Sequence, residues 1–231
     1  MVSPLLFSGE TGARTVGARG KFITFEGGEG TGKSTHAHEL RKRLETAGHK
    51  VVETHEPGGT PGAEIVRHLL KSGAVEPLGA FAEAVMIAAA RDDHVTHFIR
   101  PALEKGTWVV CDRFSDSTKA YQGAGGGVDD TLLRALERIT VGETLPDLTV
   151  ILDAPAKIAL ARANSRREGE GEGDGADRFE KESLAFHDKL RRAFLKIAEE
   201  SPKRCVVIDA TADKEAVAEA VWKAVSERLE V

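Results

Sequence analysis

The chain has 231 residues, 41% of them hydrophobic and 30% charged, with a formal net charge of −5. That balance fits an ordinary globular protein with no general pull toward nucleic acid or an anionic membrane surface. No apolar run reaches the roughly 18–20 residues needed to cross a bilayer, so no membrane partner is expected.

In chain order, residues 1–20 are rich in Gly, Ser and Thr and read as a disordered N-terminal extension. From residue 21, short β-branched and aromatic runs alternate with helical patterns. "KFITFEG", "HKVVETHEP", "TWVVCDRF", "DLTVILDAP" and "RCVVIDAT" predict five strands, each nearly continuously apolar, as in a sheet buried on both faces. Helices are predicted at roughly 33–47, 61–72, 80–104, 129–141, 155–167, 180–200 and 213–229. Gly48, Gly73 and Gly106 stand where helix ends are expected, and Pro61 and Pro155 where helices begin. Cys111 and Cys205 fall in the apolar runs and read as buried thiols, not as a disulfide or metal ligands. The alternation predicts one α/β domain over 21–231, with a five-stranded parallel sheet and helices on both faces.

The strongest motif is "GGEGTGKS", Gly27 to Ser34, lying between the strand "FITFE" and a helix. It matches the G-x-x-x-x-G-K-[ST] phosphate loop. Gly27, Gly28, Glu29, Gly30, Thr31 and Gly32 would turn successive backbone N–H groups onto the phosphates of a nucleotide, with Thr35 at the start of the helix. Lys33 would reach the β- and γ-phosphates and the Ser34 hydroxyl would ligate Mg²⁺, which predicts a Mg-bound nucleotide without separating GTPases, ATP-driven motors and kinases of small molecules. The G-x-G-x-x-G dinucleotide fingerprint fails, because Lys33 or Thr35 stands where its last glycine is needed.

Asp112 closes the strand "TWVVCD", at the edge where open α/β sheets place ligands, and Arg113 follows it. A motor ATPase would more typically carry adjacent acids there to polarise water. An arginine suits gripping a second phosphate. No N-K-x-D guanine-reading motif occurs.

Together, "FITFEGGEGTGKST", "HEPGGTPGAE", "AARDDHV", "CDRFSDSTKAYQG" and "LTVILDAP" resemble the ordered motif set of thymidylate kinases, over about nine-tenths of the chain. The resemblance implies a P-loop NTPase fold of the nucleoside-monophosphate-kinase type, phosphorylation of dTMP by Mg-ATP, a homodimer and a cytoplasmic location. It also implies roles for particular residues. Arg113 would hold the acceptor phosphate, with Asp112 ordering the site or positioning Mg²⁺. Glu29 would face the 3′-hydroxyl, Tyr121 would sit near C2′ and disfavour ribose, and Arg91 would meet the pyrimidine carbonyl. Glu56, Pro57, Ser117, Thr118 and Gln122 fall in the matched motifs as substrate-binding positions. Each has a plainer reading: Arg91 as a solvated helix face, Tyr121 as packing, Glu29 as a loop residue. Asp153 reads as structural. Two positions depart from the family pattern, Ile87 where a base-stacking aromatic is usual and His55 where an arginine is common.

Thymidylate kinases differ in where they carry an arginine for the transferred phosphoryl group. Gly30 occupies the loop position used by one class, so the resemblance points to the class that supplies it from a lid, here about residues 162–180. The segment "RREGEGEGDGADRF" then reads as a mobile lid tip and not an interdomain linker. The preceding helix is expected to stop near Arg167 at the glycine run, leaving Arg166 and Arg167 as catalytic candidates and Arg178 as a substrate-binding one. The rival expectations are another nucleoside monophosphate or deoxynucleoside kinase, or a nucleotide-dependent switch without kinase activity.

Overall fold

All five predicted strands form, and they join in a single parallel sheet of order β2-β3-β1-β4-β5. In the computed structural model, which describes residues 19–170, 179 and 182–231 with the side chains of 166–170 outside that set, the strands are β1 Phe22–Glu26, β2 Val51–His55, β3 Trp108–Asp112, β4 Leu148–Asp153 and β5 Cys205–Asp209. The continuous apolar runs produce burial on both faces only in the three central strands. The edge strands β2 and β5 are partly exposed, with Val207 at 41%. β5, which follows the Gly/Glu segment, pairs with β4, which precedes it, from Thr149–Cys205 to Asp153–Asp209.

Side chains alternate across the sheet, as the two-residue strand period dictates. Ile23 and Phe25 join Leu40 and Leu44 of helix α1 (Lys33–Thr46) and Val217, Val221 and Val225 of α9 (Lys214–Leu229) on one face. On the other, Phe22 packs with Ile99, Leu103, Val109 and Phe114. The Phe22 and Phe114 rings meet edge to face at 4.9 Å. Burying each such ring contributes roughly 1.5–3 kcal/mol. Between the faces, the Thr24 and Thr149 hydroxyls pair at 2.8 Å. Cys111 and Cys205 are buried free thiols.

The helix boundaries follow the predicted caps in most places. Thr60 caps α2 (Pro61–Lys71) through Ala63 N, and Asp129 caps α6 (Asp130–Thr140) through Thr131 N. Gly48, Gly73 and Gly106 take positive φ just past helix ends. Four expectations change. The predicted 80–104 helix is α3 (Gly79–His94), a wide π turn at Val95–Ile99 and a short α4 (Arg100–Glu104). Pro101 accounts for the widening, since it lacks the N–H that would bond one turn back. α7 (Ala156–Glu170) runs past Arg167 and through Gly169, because one glycine costs a helix only about 1 kcal/mol. α8 (Leu184–Glu200) begins later than predicted, at the Ser183 cap.

The fourth change matters most for the site. Residues 115–125 form a helical turn, α5 (Ser115–Thr118), continued by a π turn through Gly125, where no helix is predicted. Ser, Thr and Gly, of weak helix propensity, fill five of these eleven positions. Tertiary bonds hold it instead: buried Glu26 accepts from Phe114 N at 2.8 Å, Ser117 N at 3.2 Å and Ser117 Oγ at 2.6 Å.

Of the predicted N-terminal extension, Arg19 and Gly20 belong to the fold. Arg19 donates to Asp147 at 3.2 Å and Gly20 N to Leu103 O at 2.9 Å. Residues 1–18 lie outside the described set.

Candidate active site

The carboxyl ends of β1, β2, β3 and β4 share one edge of the sheet, and the predicted residues leave it from adjacent strands. Register pairs Phe25 with Asp112, and Arg113 N donates to Phe25 O at 2.9 Å. The phosphate loop after β1 and the Asp112–Arg113 turn after β3 are therefore side by side.

In the loop, Thr31 Oγ1 and Lys33 Nζ both donate to Gly28 O, at 3.0 and 2.7 Å. Lys33 is buried, and that burial together with the Arg113 charge pulls its pKa down to about 8. Ser34 Oγ donates to Asp112 Oδ2, while Asp112 Oδ1 is buried with no hydrogen-bond partner among the described residues. Thr35 is exposed in the first turn of α1. Gly30 has φ +72°, and a Cβ placed on it would lie 1.9 Å from the Ala159 carbonyl oxygen of α7. The loop position that carries an arginine in the other class thus has no room for any side chain.

Arg113 binds the two halves together. Its backbone is left-handed, φ 68°, a conformation costing a non-glycine residue roughly 1–2 kcal/mol. Its guanidinium donates to Gly27 O and Ser117 Oγ, both at 3.1 Å, to Glu29 Oε1 at 2.6 Å and to Tyr121 Oη at 2.9 Å. The Tyr121 hydroxyl donates in turn to Glu29 Oε1 at 2.7 Å. Burial would raise the Glu29 pKa, but the Arg113 and Lys33 charges outweigh it and hold the carboxyl at about 2. Arg113 itself is pushed upward by Glu29 against the desolvation of its burial. Glu29 is thus a fixed anion facing a fixed cation. Tyr121 is buried, with its ring edge-on to Phe179 at 5.1 Å.

A second buried network lies toward β2. Arg91, 4% exposed, donates from Nε to Glu56 Oε2 at 2.7 Å and from its terminal nitrogen to Thr118 Oγ1 at 3.0 Å and Phe114 O at 3.2 Å. Glu56 Oε1 pairs with His94 Nδ1 at 3.1 Å, and His94 Nε2 with Thr54 Oγ1 at 2.8 Å. Arg91 is therefore no solvated helix face. The Glu56–Pro57 peptide is cis, and Pro57 O receives Arg67 at 3.0 Å. Gln122 Nε2 donates to Glu83 Oε2 at 3.4 Å. Ile87 packs with Leu70 and Val75, beside Met86. Of the nearby large apolar side chains, Phe81 is exposed and Phe98 packs with the cluster around Val95, while Met86 shares the Ile87 environment. His55 pairs with Glu64 at 2.9 Å.

Sequence reasoning missed Glu26. It sits at the end of β1 under the loop, its pKa raised to about 7 by burial and by the Asp116 charge. The only signal was a carboxylate ending an apolar strand, "FITFE". Asp153 is structural, as predicted, through an unpredicted partner: Arg191 of α8 holds it with two bonds, 2.7 and 2.8 Å. Arg162, at the near end of the predicted lid, donates to the Ala210 and Thr211 carbonyls at 2.5 and 3.1 Å. Arg178 and the side chains of Arg166 and Arg167 lie outside the described residues.

The Gly27–Ser34 loop and the Arg113 guanidinium thus face each other in direct contact, through Gly27 O and Glu29 Oε1. The thymidylate kinase family model matches residues 25–221. The chain is 57% identical over 211 residues to the thymidylate kinase of Afipia carboxidovorans, covering 91% of each. It is 58% identical to that of Bradyrhizobium sp. strain ORS 278, over 91% of this chain and 92% of the relative. A crystal structure of the Ehrlichia chaffeensis thymidylate kinase superposes with a TM-score of 0.72 at 32% identity, covering 90% of this chain and 99% of that one. By the family model and this extent of likeness, the chain belongs to the thymidylate kinase family.

Proposed function

We propose that the γ-phosphoryl group of ATP passes directly, in line, to the phosphate of dTMP across the cleft between the Gly27–Thr35 loop and Arg113. Phosphorylation of dTMP to dTDP by ATP is the activity of the family to which the chain belongs. The observation that carries the site assignment is the Arg113 guanidinium, fixed between the loop carbonyl Gly27 O, Glu29, Ser117 and Tyr121.

On this reading the loop amides and Lys33 bind the ATP phosphates, and Arg113 clamps the acceptor phosphate. Glu29 receives the 3′-hydroxyl, and Tyr121 fills the space a 2′-hydroxyl would need. Arg91, with Thr118 and Gln122, faces the base, while Glu56, Pro57 and Ser117 support them. The acceptor phosphate is already ionised at neutral pH, so charge neutralisation and alignment dominate over proton abstraction. Ser34 and Asp112 fit Mg²⁺: both offer hard oxygen, and Asp112 Oδ1 is buried with no partner among the described residues. Among the described residues no cluster of three or more His, Cys, Asp or Glu side chains could hold a metal, which suits an ion held mainly by phosphates. Bound there, it would offset the charge of the phosphate oxygens. Because a side chain at Gly30 would strike Ala159 O, we assign the remaining cation to Arg166 or Arg167, with Arg178 near the substrate.

We further propose one kinase domain, 21–231 extended by Arg19 and Gly20, with a lid at about 162–180, acting in the cytoplasm, where ATP and dTMP meet. A homodimer would cover the apolar side chains left exposed on α3 and α6, among them Phe81, Val85, Leu132 and Ile139. No single helix among the described residues is long and apolar enough to cross a membrane.

The test is Arg113→Ala in a coupled assay of dTMP-dependent ADP formation. Removing a charge-assisted phosphate clamp should cut kcat/KM for dTMP by at least about 10². Near-normal kinetics would refute the site.

A further inference from the structure

Both terminal nitrogens of Arg113 rest on hydroxyl groups, and each hydroxyl is committed to a carboxylate. Nη2 donates to Tyr121 Oη at 2.9 Å, and Tyr121 gives its own proton to Glu29 Oε1 at 2.7 Å. Nη1 donates to Ser117 Oγ at 3.1 Å, and Ser117 gives its proton to Glu26 Oε2 at 2.6 Å. A serine hydroxyl carries one proton, and a guanidinium carries donors only. With its proton on Glu26, Ser117 Oγ meets Arg113 purely as an acceptor. Turned the other way, the same hydroxyl would point its O–H at an N–H.

Glu26 is fully buried, and its two oxygens have separate tasks. Oε1 accepts the Phe114 and Ser117 amides, at 2.8 and 3.2 Å, and so holds the turn. Oε2 accepts the Ser117 hydroxyl. The backbone around Ser117 has further anchors. Ser117 N reaches Phe114 O at 3.2 Å, and Arg204 clasps the neighbouring Asp116 carboxylate at 2.6 and 3.2 Å. Deleting the hydroxyl therefore leaves the backbone bonds of the turn in place and removes one support of the guanidinium.

We propose that Glu26 is a positioning residue for Arg113, acting through the Ser117 hydroxyl, which it orients as the acceptor for Nη1 while Glu29 and Tyr121 hold Nη2. The guanidinium is a planar fork, so fixing both terminal nitrogens fixes the plane it presents to a phosphate. This role rests on the assignment of Arg113 to the acceptor phosphate. It lets Glu26 act on dTMP turnover from beneath the loop, without contact to the nucleotide.

The experiment measures kcat/KM for dTMP and KM for ATP at pH 8, above the Glu26 pKa of about 7, so that Oε2 carries no proton. The full chain is compared with Ser117→Ala, Glu26→Gln and Arg113→Ala, and with each of the first two combined with Arg113→Ala. Gln keeps the shape of Glu26. Its oxygen stays with the two amides and its NH₂ replaces Oε2, so the Ser117 proton loses its acceptor. Ser117→Ala should lower kcat/KM for dTMP about tenfold, the scale of one hydrogen bond to a charged group, with KM for ATP within about twofold. Glu26→Gln should lower it several-fold in the same selective way. In the Arg113→Ala background neither substitution should change kcat/KM by more than about twofold, because the positioned group is gone. Losses that persist undiminished in that background belong to the turn as a whole and overturn the proposal. Normal kinetics in either single variant beside an impaired Arg113→Ala overturns it too, and leaves the Arg113 assignment standing. Near-normal kinetics in Arg113→Ala removes that assignment and this proposal together. If neither Ser117→Ala nor Glu26→Gln folds, the pair is structural and the proposal falls.

Discussion

Gly30→Ala isolates the contact that ties the phosphate loop to α7. A methyl group at this position would lie 1.9 Å from Ala159 O and 2.7 Å from its carbonyl carbon. Ordinary carbon–oxygen contacts fall at about 3.3 Å or more, so roughly 1.4 Å must open between loop and helix. The neighbour is backbone within a helix, which cannot rotate away as a side chain would. Forcing such space costs about 1–3 kcal/mol, and holding alanine at φ +72° adds roughly 1–2 kcal/mol. A loss of about 2–5 kcal/mol should lower Tm by about 4–20 °C in a chain of this size. Gly28→Ala is the internal control, since a Cβ there meets nothing within 4 Å. Differential scanning calorimetry of both variants beside the unmodified chain is the assay. If Gly30→Ala melts within about 2 °C of Gly28→Ala, the close approach is not real. The reasoning that excludes an arginine from the loop would then go with it.

Two further outcomes follow from the site. Arg166→Ala combined with Arg167→Ala should depress kcat far more than ATP affinity, and preserved turnover would remove these arginines from the transferred phosphoryl group. Glu26→Gln should change how stability depends on pH. Its folded pKa of about 7 lies above the ordinary 4.5, so the stability tied to the protonated carboxyl is complete below pH 4.5 and is lost as pH rises through 7. Between pH 6 and pH 8 the unmodified chain should therefore lose stability relative to Glu26→Gln in urea titrations, and a difference independent of pH would refute it.

The sheet was legible because its strands are short apolar runs with glycine and proline at the boundaries, signals that act within a few residues of the chain. The phosphate loop and the Asp112–Arg113 turn were legible for the same reason. What escaped depended on residues far apart in sequence. The helical turn at 115–125 forms against its own propensity because Glu26, some ninety residues earlier, accepts its amides. Arg91 was named by the motif resemblance, but its buried partners Glu56 and Thr118, 35 and 27 residues away, were not. The exposed edges of β2 and β5 were hidden because apolar runs do not record strand order. The helix past Arg167 was placed about three residues short, because it runs through the first glycine of the run, Gly169, before ending at Glu170.

Strand order explains why the missed residue, Glu26, stands at the centre of the arrangement. Because β1 lies between β3 and β4, the loop leaving β1 is flanked by the Asp112 turn on one side and by Asp153 on the other. The Arg113 backbone is strained, and a strained residue persists only where its surroundings over-determine it. Three constraints do so here: Arg113 N bonds to Phe25 O, the next amide, Phe114 N, bonds to Glu26, and the guanidinium bonds to Gly27 O. All three come from consecutive residues of one chain segment, Phe25 to Gly27, which continues directly into the phosphate loop. The Arg113 turn is therefore registered to the Gly27–Ser34 loop through one backbone bond and two side chains, those of Glu26 and Arg113. Phosphoryl transfer loses rate steeply with misplacement of about 1 Å. A clamp fixed in this way needs the nucleotide to bring only the reacting atoms into line.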